Sequence, residues 1–189
     1  MPPQSRSSSK AKTKRIAIPG PPATTTARSI AEYYAAVLGA ARGSAPRAAK
    51  VLRPRAFVRE GEAIHLSNEV ATEVIHSGLR ASIVNDIADV LPVDKATVLR
   101  AIGIDKATLS RRMLKRADLD PAQAEAAVRT MELTTLATET FGTLEKAALW
   151  LKKPHPLLGG ASPLEYANNQ YALAKVKSML SAIRYGGVV

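Results

Sequence analysis

The sequence predicts an all-α protein in which a helix-turn-helix precedes a compact C-terminal helical domain. Three observations carry that expectation. From position 67 onward the apolar residues recur at helical spacing and are punctuated by Gly and Pro. The tetrapeptide Asp94-Lys95-Ala96-Thr97 returns eleven residues later as Asp105-Lys106-Ala107-Thr108, so two helix starts are separated by one short helix and a turn. Two Phe, one Trp and five Tyr among 189 residues, with abundant alanine, suit small, closely packed helices better than a β-sandwich.

The length allows one core of ordinary size with a small extra element. No apolar run approaches the roughly 18 to 20 residues that span a bilayer. The basic N-terminal residues have no apolar stretch behind them, so a secretory signal is not expected and a cytoplasmic location is. Cysteine is absent, which removes disulfides and thiolate metal sites. The formal charge of +11 is unevenly placed, because residues 1–59 hold 12 Lys or Arg against Glu32 alone. The remainder balances 15 basic with 15 acidic residues. Within it, residues 94–116 have seven basic side chains against Asp94 and Asp105, whereas residues 117–145 have six acids against Arg129. A module with one basic and one acidic end follows, and only the basic end suits phosphate.

Residues 1–66 read as a tail and linker. Met1 to about Arg28 is too polar to repay its ordering entropy and is expected to be disordered, either solvated or touching nucleic acid nonspecifically. Ser29 caps a possible short helix through Ala40, with Ile30, Tyr33, Tyr34, Val37 and Leu38 on one face. Residues 42–61 form a basic linker in which Val51-Leu52 and Phe57-Val58 are candidates for a strand-like edge.

Residues 67–119 hold the helix-turn-helix region. Ser67 starts a helix carrying Val70, Val74 and Ile75, and Gly78 breaks it. Ala81 to Leu91 follows, with Ile83, Val84, Ile87, Ala88 and Leu91 on one side and Pro92 as the stop. Asp94 and Asp105 then cap a helix of about eight residues and a second one running to about Arg116, with the turn at Gly103-Ile104. Val98, Leu99 and Ile102 pack the first, Ile104 plugs the turn, and Leu109 and Met113 anchor the second. Leu99 stands where such hairpins commonly have a small residue. If the hairpin binds DNA and is not merely a structural pair, its second helix presents Lys106, Thr108, Ser110, Arg111 and Arg112 to a major groove. Lys115 and Arg116 then face the phosphate backbone or solvent.

Residues 120–189 form the C-terminal domain. Asp120-Pro121 begins a helix of about twenty residues ending at Phe141-Gly142, with Val128, Met131, Leu133, Leu136 and Ala137 buried and Glu125, Glu132 and Glu139 outward. Thr143 opens the next helix, with Ala147, Ala148, Trp150 and Leu151 inward. Pro154, Pro156 and Gly159-Gly160 force a tight crossing. Ser162-Pro163-Leu164-Glu165 is a capping box, and a last helix spans about Tyr171 to Arg184 before a free tail from Tyr185 to Val189.

Phe141-Gly142, Lys146-Ala147, Trp150-Leu151, the Pro154-His155-Pro156-Leu157-Leu158-Gly159-Gly160 crossing, Pro163-Leu164, Val176, Leu180 and Ile183-Arg184-Tyr185-Gly186 resemble the Xre/MbcA/ParS-type antitoxin family. Gly103-Ile104 and Thr108-Leu109-Ser110-Arg111-Arg112 are similar to the Xre-like helix-turn-helix of the same proteins, and the resemblance covers about residues 70–189. It implies an antitoxin that neutralises a RES-domain, NAD-consuming toxin, represses its own operon, dimerises, and lays its C-terminal end over the toxin's NAD-binding cleft; the alternative is a stand-alone helix-turn-helix transcription regulator whose C-terminal domain only dimerises. The toxin-binding positions it implies are Trp150, Pro154, Pro156, Leu158, Gly159, Gly160, Arg184, Tyr185, Gly186 and Gly187. The chain departs from the family pattern at Ala172 (often glycine), near Ala182 (often arginine) and at Arg184, where an acid is frequent. Packing is the competing role for Trp150 and Leu158, and turn-making for the glycine pair.

Nothing catalytic is expected. His65, His76 and His155 have no partner at metal-ligand spacing, and Asp86 with Asp89 suits the solvent face of a helix. Nucleophile-elbow, zinc-protease, Walker and dinucleotide motifs are missing, so no cofactor is anticipated.

Overall fold

The computed structural model describes residues 31, 32, 34, 57–60, 63–66 and 68–186. A short antiparallel hairpin comes first: β1 (Phe57–Glu60) pairs with β2 (Ala63–Leu66), Phe57 opposite Leu66 and Glu60 opposite Ala63. The elements after it are helices, α1 (Asn68–Ser77), α2 (Ile83–Val90), α3 (Lys95–Ile102), α4 (Lys106–Leu114), α5 (Pro121–Phe141), α6 (Leu144–Lys152), a 3-10 turn (Pro156–Leu158), α7 (Pro163–Tyr166) and α8 (Gln170–Arg184), with one isolated antiparallel bridge between Arg80 and Asp118. The body is therefore all-α, as predicted, with the hairpin added at Phe57-Val58. Ala31, Glu32 and Tyr34 are helical, and Tyr34 is fully buried in the main apolar cluster. The expected tail, Val51-Leu52, the other apolar residues of 29–40 and the terminal Gly187, Val188 and Val189 lie outside the described residues.

The helix starts follow from side-chain chemistry. Asp94, Asp105, Asp120, Thr143, Ser162 and Asn169 each accept a hydrogen bond from the amide three residues on, satisfying a donor that the first turn leaves free. Ser162 Oγ also donates to Glu165 Oε2 at 2.9 Å, tying both ends of the capping box together. Gly103 closes α3 at φ 72°, a left-handed geometry that glycine adopts without a Cβ clash, and Ile104 N–H then reaches Leu99 O at 3.1 Å. That bond turns the chain sharply enough for α4 to leave α3 within three residues.

Helix α5 is the hub. It packs against α1, α2, α3, α6 and α8, and β2 lies against it as well. Being enclosed, it buries far more than one stripe, including Ala124, Ala127, Val128, Met131, Leu133, Leu136 and Ala137. Four buried threonines share its interior. Thr130, Thr134, Thr135 and Thr138 each donate a hydroxyl to the carbonyl one turn earlier, at 2.7 to 3.0 Å, so none of these four hydroxyls is stranded.

Several expectations about individual side chains need correction. Glu132 and Glu139 do not face outward. Glu132 pairs with Lys177 at 2.6 Å and Glu139, whose side chain is 9% exposed, pairs with Arg184 at 3.5 Å. Together they form a charged seam between α5 and α8. Sequence spacing had placed these acids opposite one apolar stripe, but a helix surrounded by neighbours has no single outer face. Met113 is not a buried anchor: Leu109 alone in α4 is buried, and Met113 Sδ instead accepts from Asn85 Nδ2 at the surface. The second hairpin helix ends at Leu114, two residues earlier than expected, because Arg116 adopts φ 50° and Ala117 N–H closes back on Arg112 O at 2.8 Å.

Candidate functional site

Two surfaces gather the residues singled out above. On the first, α3 is packed by Val98, Leu99 and Ile102, whereas α4 is held at its flanks and projects. Its start is fixed by Asp105, which accepts from Thr108 N–H at 2.8 Å; the Thr108 hydrogen bonds hold the Asp105 carboxyl below the usual carboxylate range. Asp94 is lowered in the same way, first by the Thr97 hydroxyl and then by the Thr97 amide. Its far end is fixed by Arg112. Arg112 Nη1 donates to Asp118 O at 2.8 Å and Nη2 approaches Asp120 Oδ2 at 3.4 Å. The segment after α4 is stitched to the turn after α1, since Leu119 N–H donates to Leu79 O at 2.7 Å and Arg80 Nε pairs with Asp118 Oδ1 at 3.5 Å. Lys106, Ser110, Arg111, Lys115 and Arg116 are exposed, and Thr108 is half-buried. Of Lys106, Thr108, Ser110, Arg111, Arg112 and Lys115, Arg112 alone has its side chain engaged by both a backbone carbonyl and a carboxylate.

The second surface is split along α8. The crossing after α6 is tied to itself: His155 N–H donates to Ala161 O at 3.0 Å, Gly160 N–H donates to His155 O at 3.1 Å, and His155 Nδ1 accepts from Leu157 N–H at 3.3 Å. This gives His155 a turn-capping role. Gly159 and Gly160 sit at φ 65° and 83°, two successive left-handed residues that side chains would strain. Pro154, Pro156 and both glycines are exposed, whereas Leu158 is buried beneath them. Trp150 is half-buried with its ring 5.6 Å from that of Phe141. At the other end, Arg184 is split between Glu139 and the Tyr185 ring, 6.0 Å away, and Tyr185 is 70% exposed. Gly186 is exposed, and Gly187 lies outside the described residues. A groove of about 370 Å³ runs between α5 and α8 here, lined by Leu136, Thr140, Lys177, Leu180, Arg184 and Tyr185. Lys175 touches the crossing at Leu157 O, so ten residues of helix, about 15 Å, separate it from Tyr185.

Sequence reading missed the exposed Leu149 and Leu157 and the bond joining the two regions, in which Arg100 Nε donates to Glu165 Oε1 at 3.0 Å. Helical spacing places Leu149 opposite Ala147, Ala148 and Leu151 and was the available signal; the Arg100 contact joins residues 65 apart and had none. The Ser162 hydroxyl, followed by Arg100, lowers the Glu165 carboxyl. Among the described residues, no group of three or more His, Asp or Glu is placed to hold a metal, and no helix is long and apolar enough to cross a membrane.

Comparison with known proteins agrees with this layout. Residues 70–132 match the antitoxin Xre-like helix-turn-helix domain, and residues 136–186 match the antitoxin Xre/MbcA/ParS C-terminal toxin-binding domain. The chain is 25% identical over 118 residues to antitoxin Xre of Yersinia enterocolitica, covering 62% of this chain and 80% of that protein. It is 25% identical over 114 residues to antitoxin Xre of Photorhabdus laumondii, covering 60% and 77%. It is 27% identical over 125 residues to a Prs ADP-ribosylating antitoxin of Sphingobium, again covering 60% and 77%. With both domain matches in the order of the two surfaces, this chain belongs to the Xre/MbcA/ParS antitoxin family of toxin–antitoxin systems.

Proposed function

We propose that this chain neutralises a RES-domain, NAD-degrading toxin by direct binding through its C-terminal region, and that it represses its own operon as a DNA-binding homodimer in the bacterial cytoplasm. The observation that carries this reading is the placement of two outward faces on one core: a projecting basic helix at one site, and a glycine- and proline-framed crossing with an exposed terminal aromatic at the other. The name of the Sphingobium relative adds support, because ADP-ribosylation draws on NAD.

On the DNA side, α4 enters the major groove with Lys106, Ser110 and Arg111, Arg111 forking onto guanine, while Lys115 and Arg116 meet phosphates. Thr108 contributes through the amide-rich start of the helix. Arg112 acts through position, clamping the end of α4. On the toxin side, Pro154, Pro156, Gly159 and Gly160 form one contact and Tyr185 with Gly186 and Gly187 the other. Leu158 and Trp150 support the crossing from below, and Arg184 orients Tyr185. The chain acts by occlusion and needs no cofactor or catalytic group of its own.

Co-expression with the protein encoded by the adjacent reading frame tests the reading. Rescue of growth together with co-purification is expected, and removal of Tyr185–Val189 should weaken rescue while leaving the melting transition in place. Full rescue by the truncated chain would refute the tail's role. Absence of any co-purifying neighbour would refute the toxin assignment.

A further inference from the structure

Helix α6 buries Leu144, Ala147, Ala148 and Leu151 and turns its opposite face outward. At the centre of that face Leu149 is 59% exposed, with Lys146 one turn before it and Lys152 one turn after. Lys153 follows at the helix end. The crossing then presents Leu157, 51% exposed, beside Lys175, whose Nζ donates to the Leu157 carbonyl at 2.7 Å. Among the described residues, Lys146, Lys152 and Lys153 enter no ion pair.

Attraction to the negative end of α6 explains Lys152 and Lys153. It does not explain Lys146, which sits in the first turn, where the helix field disfavours a cation. Nor does it explain two leucines held in water. An apolar centre with a charged rim is the anatomy of a protein interface, whereas a nucleic acid would use the lysines and leave the leucines wet.

We propose that this face of α6, with Leu157, docks on an apolar hollow with an acidic rim on the toxin. Leu149 and Leu157 fill the hollow, and the four lysines steer the encounter and fix its register. The proposal rests on the reading of the chain as a toxin-binding antitoxin, and adds what the partner's surface must offer.

The test titrates the full chain with the protein encoded by the adjacent reading frame, at low and at high ionic strength. The K146E/K152E/K153E variant should slow association about tenfold at low ionic strength and flatten the salt dependence. Leu149→Ser should weaken binding about tenfold at both ionic strengths, through loss of an interface anchor. Leu149→Ser should melt close to the wild type, because the position is exposed, while the charge reversal should melt slightly lower, because it puts carboxylates at the negative end of α6; binding is therefore read below both transitions. If the wild type binds and both variants stay within about twofold of it, the toxin docks elsewhere and this proposal alone fails. Loss of duplex DNA binding by the lysine variant, with toxin binding intact, overturns it in favour of a nucleic-acid face. If the wild type does not bind its neighbour at all, the toxin reading itself falls and this proposal with it.

Discussion

Arg111 and Arg112 are adjacent in sequence, equal in charge and indistinguishable to a motif, yet the structure gives them separable consequences. Arg112 Nη1 donates to Asp118 O at 2.8 Å from a side chain only 25% exposed, while its contact to Asp120 is long, at 3.4 Å, and wet. A hydrogen bond from a charged donor contributes about 1.5–3 kcal/mol when sheltered, and an exposed ion pair adds about 0–1 kcal/mol. Partial solvent access lowers the sum, so Arg112→Ala should destabilise the fold by about 1–2 kcal/mol, or roughly 3–6 °C in melting temperature. Arg111 is exposed, with one long contact of 3.4 Å to Thr108 Oγ1, so Arg111→Ala should leave stability within about 0.5 kcal/mol. If Arg111 forks onto guanine, its loss costs about 1–3 kcal/mol of operator affinity, roughly five- to over a hundredfold. The assay pairs thermal melting with fluorescence anisotropy on the DNA upstream of the chain's own gene, below the melting transition of every variant. The reasoning fails if Arg112→Ala melts like the wild type and loses operator affinity as severely as Arg111→Ala, because Arg112 would then read DNA directly.

Three further outcomes follow from the packing and the charges. Thr134→Val in the middle of α5 should be neutral or stabilising by up to about 1 kcal/mol in chemical denaturation, since the buried hydroxyl meets only a carbonyl of its own helix; a loss above about 2 kcal/mol would assign it a role beyond that bond. Arg184→Ala should cost about 1–2 kcal/mol, because it leaves the buried Glu139 carboxylate short of a cation; unchanged melting would show the seam to be inert. The acid limb of stability depends on Asp94, Asp105 and Glu165, whose folded carboxyls are lowered by hydrogen bonds from Thr97, Thr108 and Ser162 respectively, with Arg100 helping at Glu165. Their contribution is complete above the ordinary carboxylate range and disappears as pH falls through the lowered folded values. Asp86 has the opposite sign: burial, reinforced by Asp89, raises it, so it costs stability at neutral pH and that cost fades on acidification. Asp86→Asn should therefore raise the neutral-pH urea midpoint, and Asp94→Asn with Asp105→Asn should make the acid limb shallower; identical pH profiles would contradict both assignments.

Most of the secondary structure was legible because its signals are local. The Asp94 and Asp105 caps, Gly103, Asp120-Pro121, Gly142 and Ser162-Pro163 act within four residues, and each marks a boundary in the fold. The candidate site was legible in position but not in side-chain role. Arg112 reads as one more exposed cation until the chain folds Asp118 and Asp120 back against it, whereas Leu158, for which the sequence offers both contact and packing, is buried. Leu149 was legible from its spacing against Ala147, Ala148 and Leu151, whereas the Arg100 bond to Glu165 joins residues too far apart in sequence to be read.

The sequence by itself determined where the capped helices begin, which stretch is basic, and which family motifs the C-terminal half carries, since capping, glycine geometry and charge need no distant partner. Tertiary structure decided which way those residues face. Burying α5 on several sides turned Glu132 and Glu139 from an expected solvent stripe into ion pairs with Lys177 and Arg184. Contacts between segments far apart in sequence selected one arginine of α4 as a clamp and left its neighbour exposed. Spacing along one helix specifies a face, but only the helices packed around it specify what that face meets.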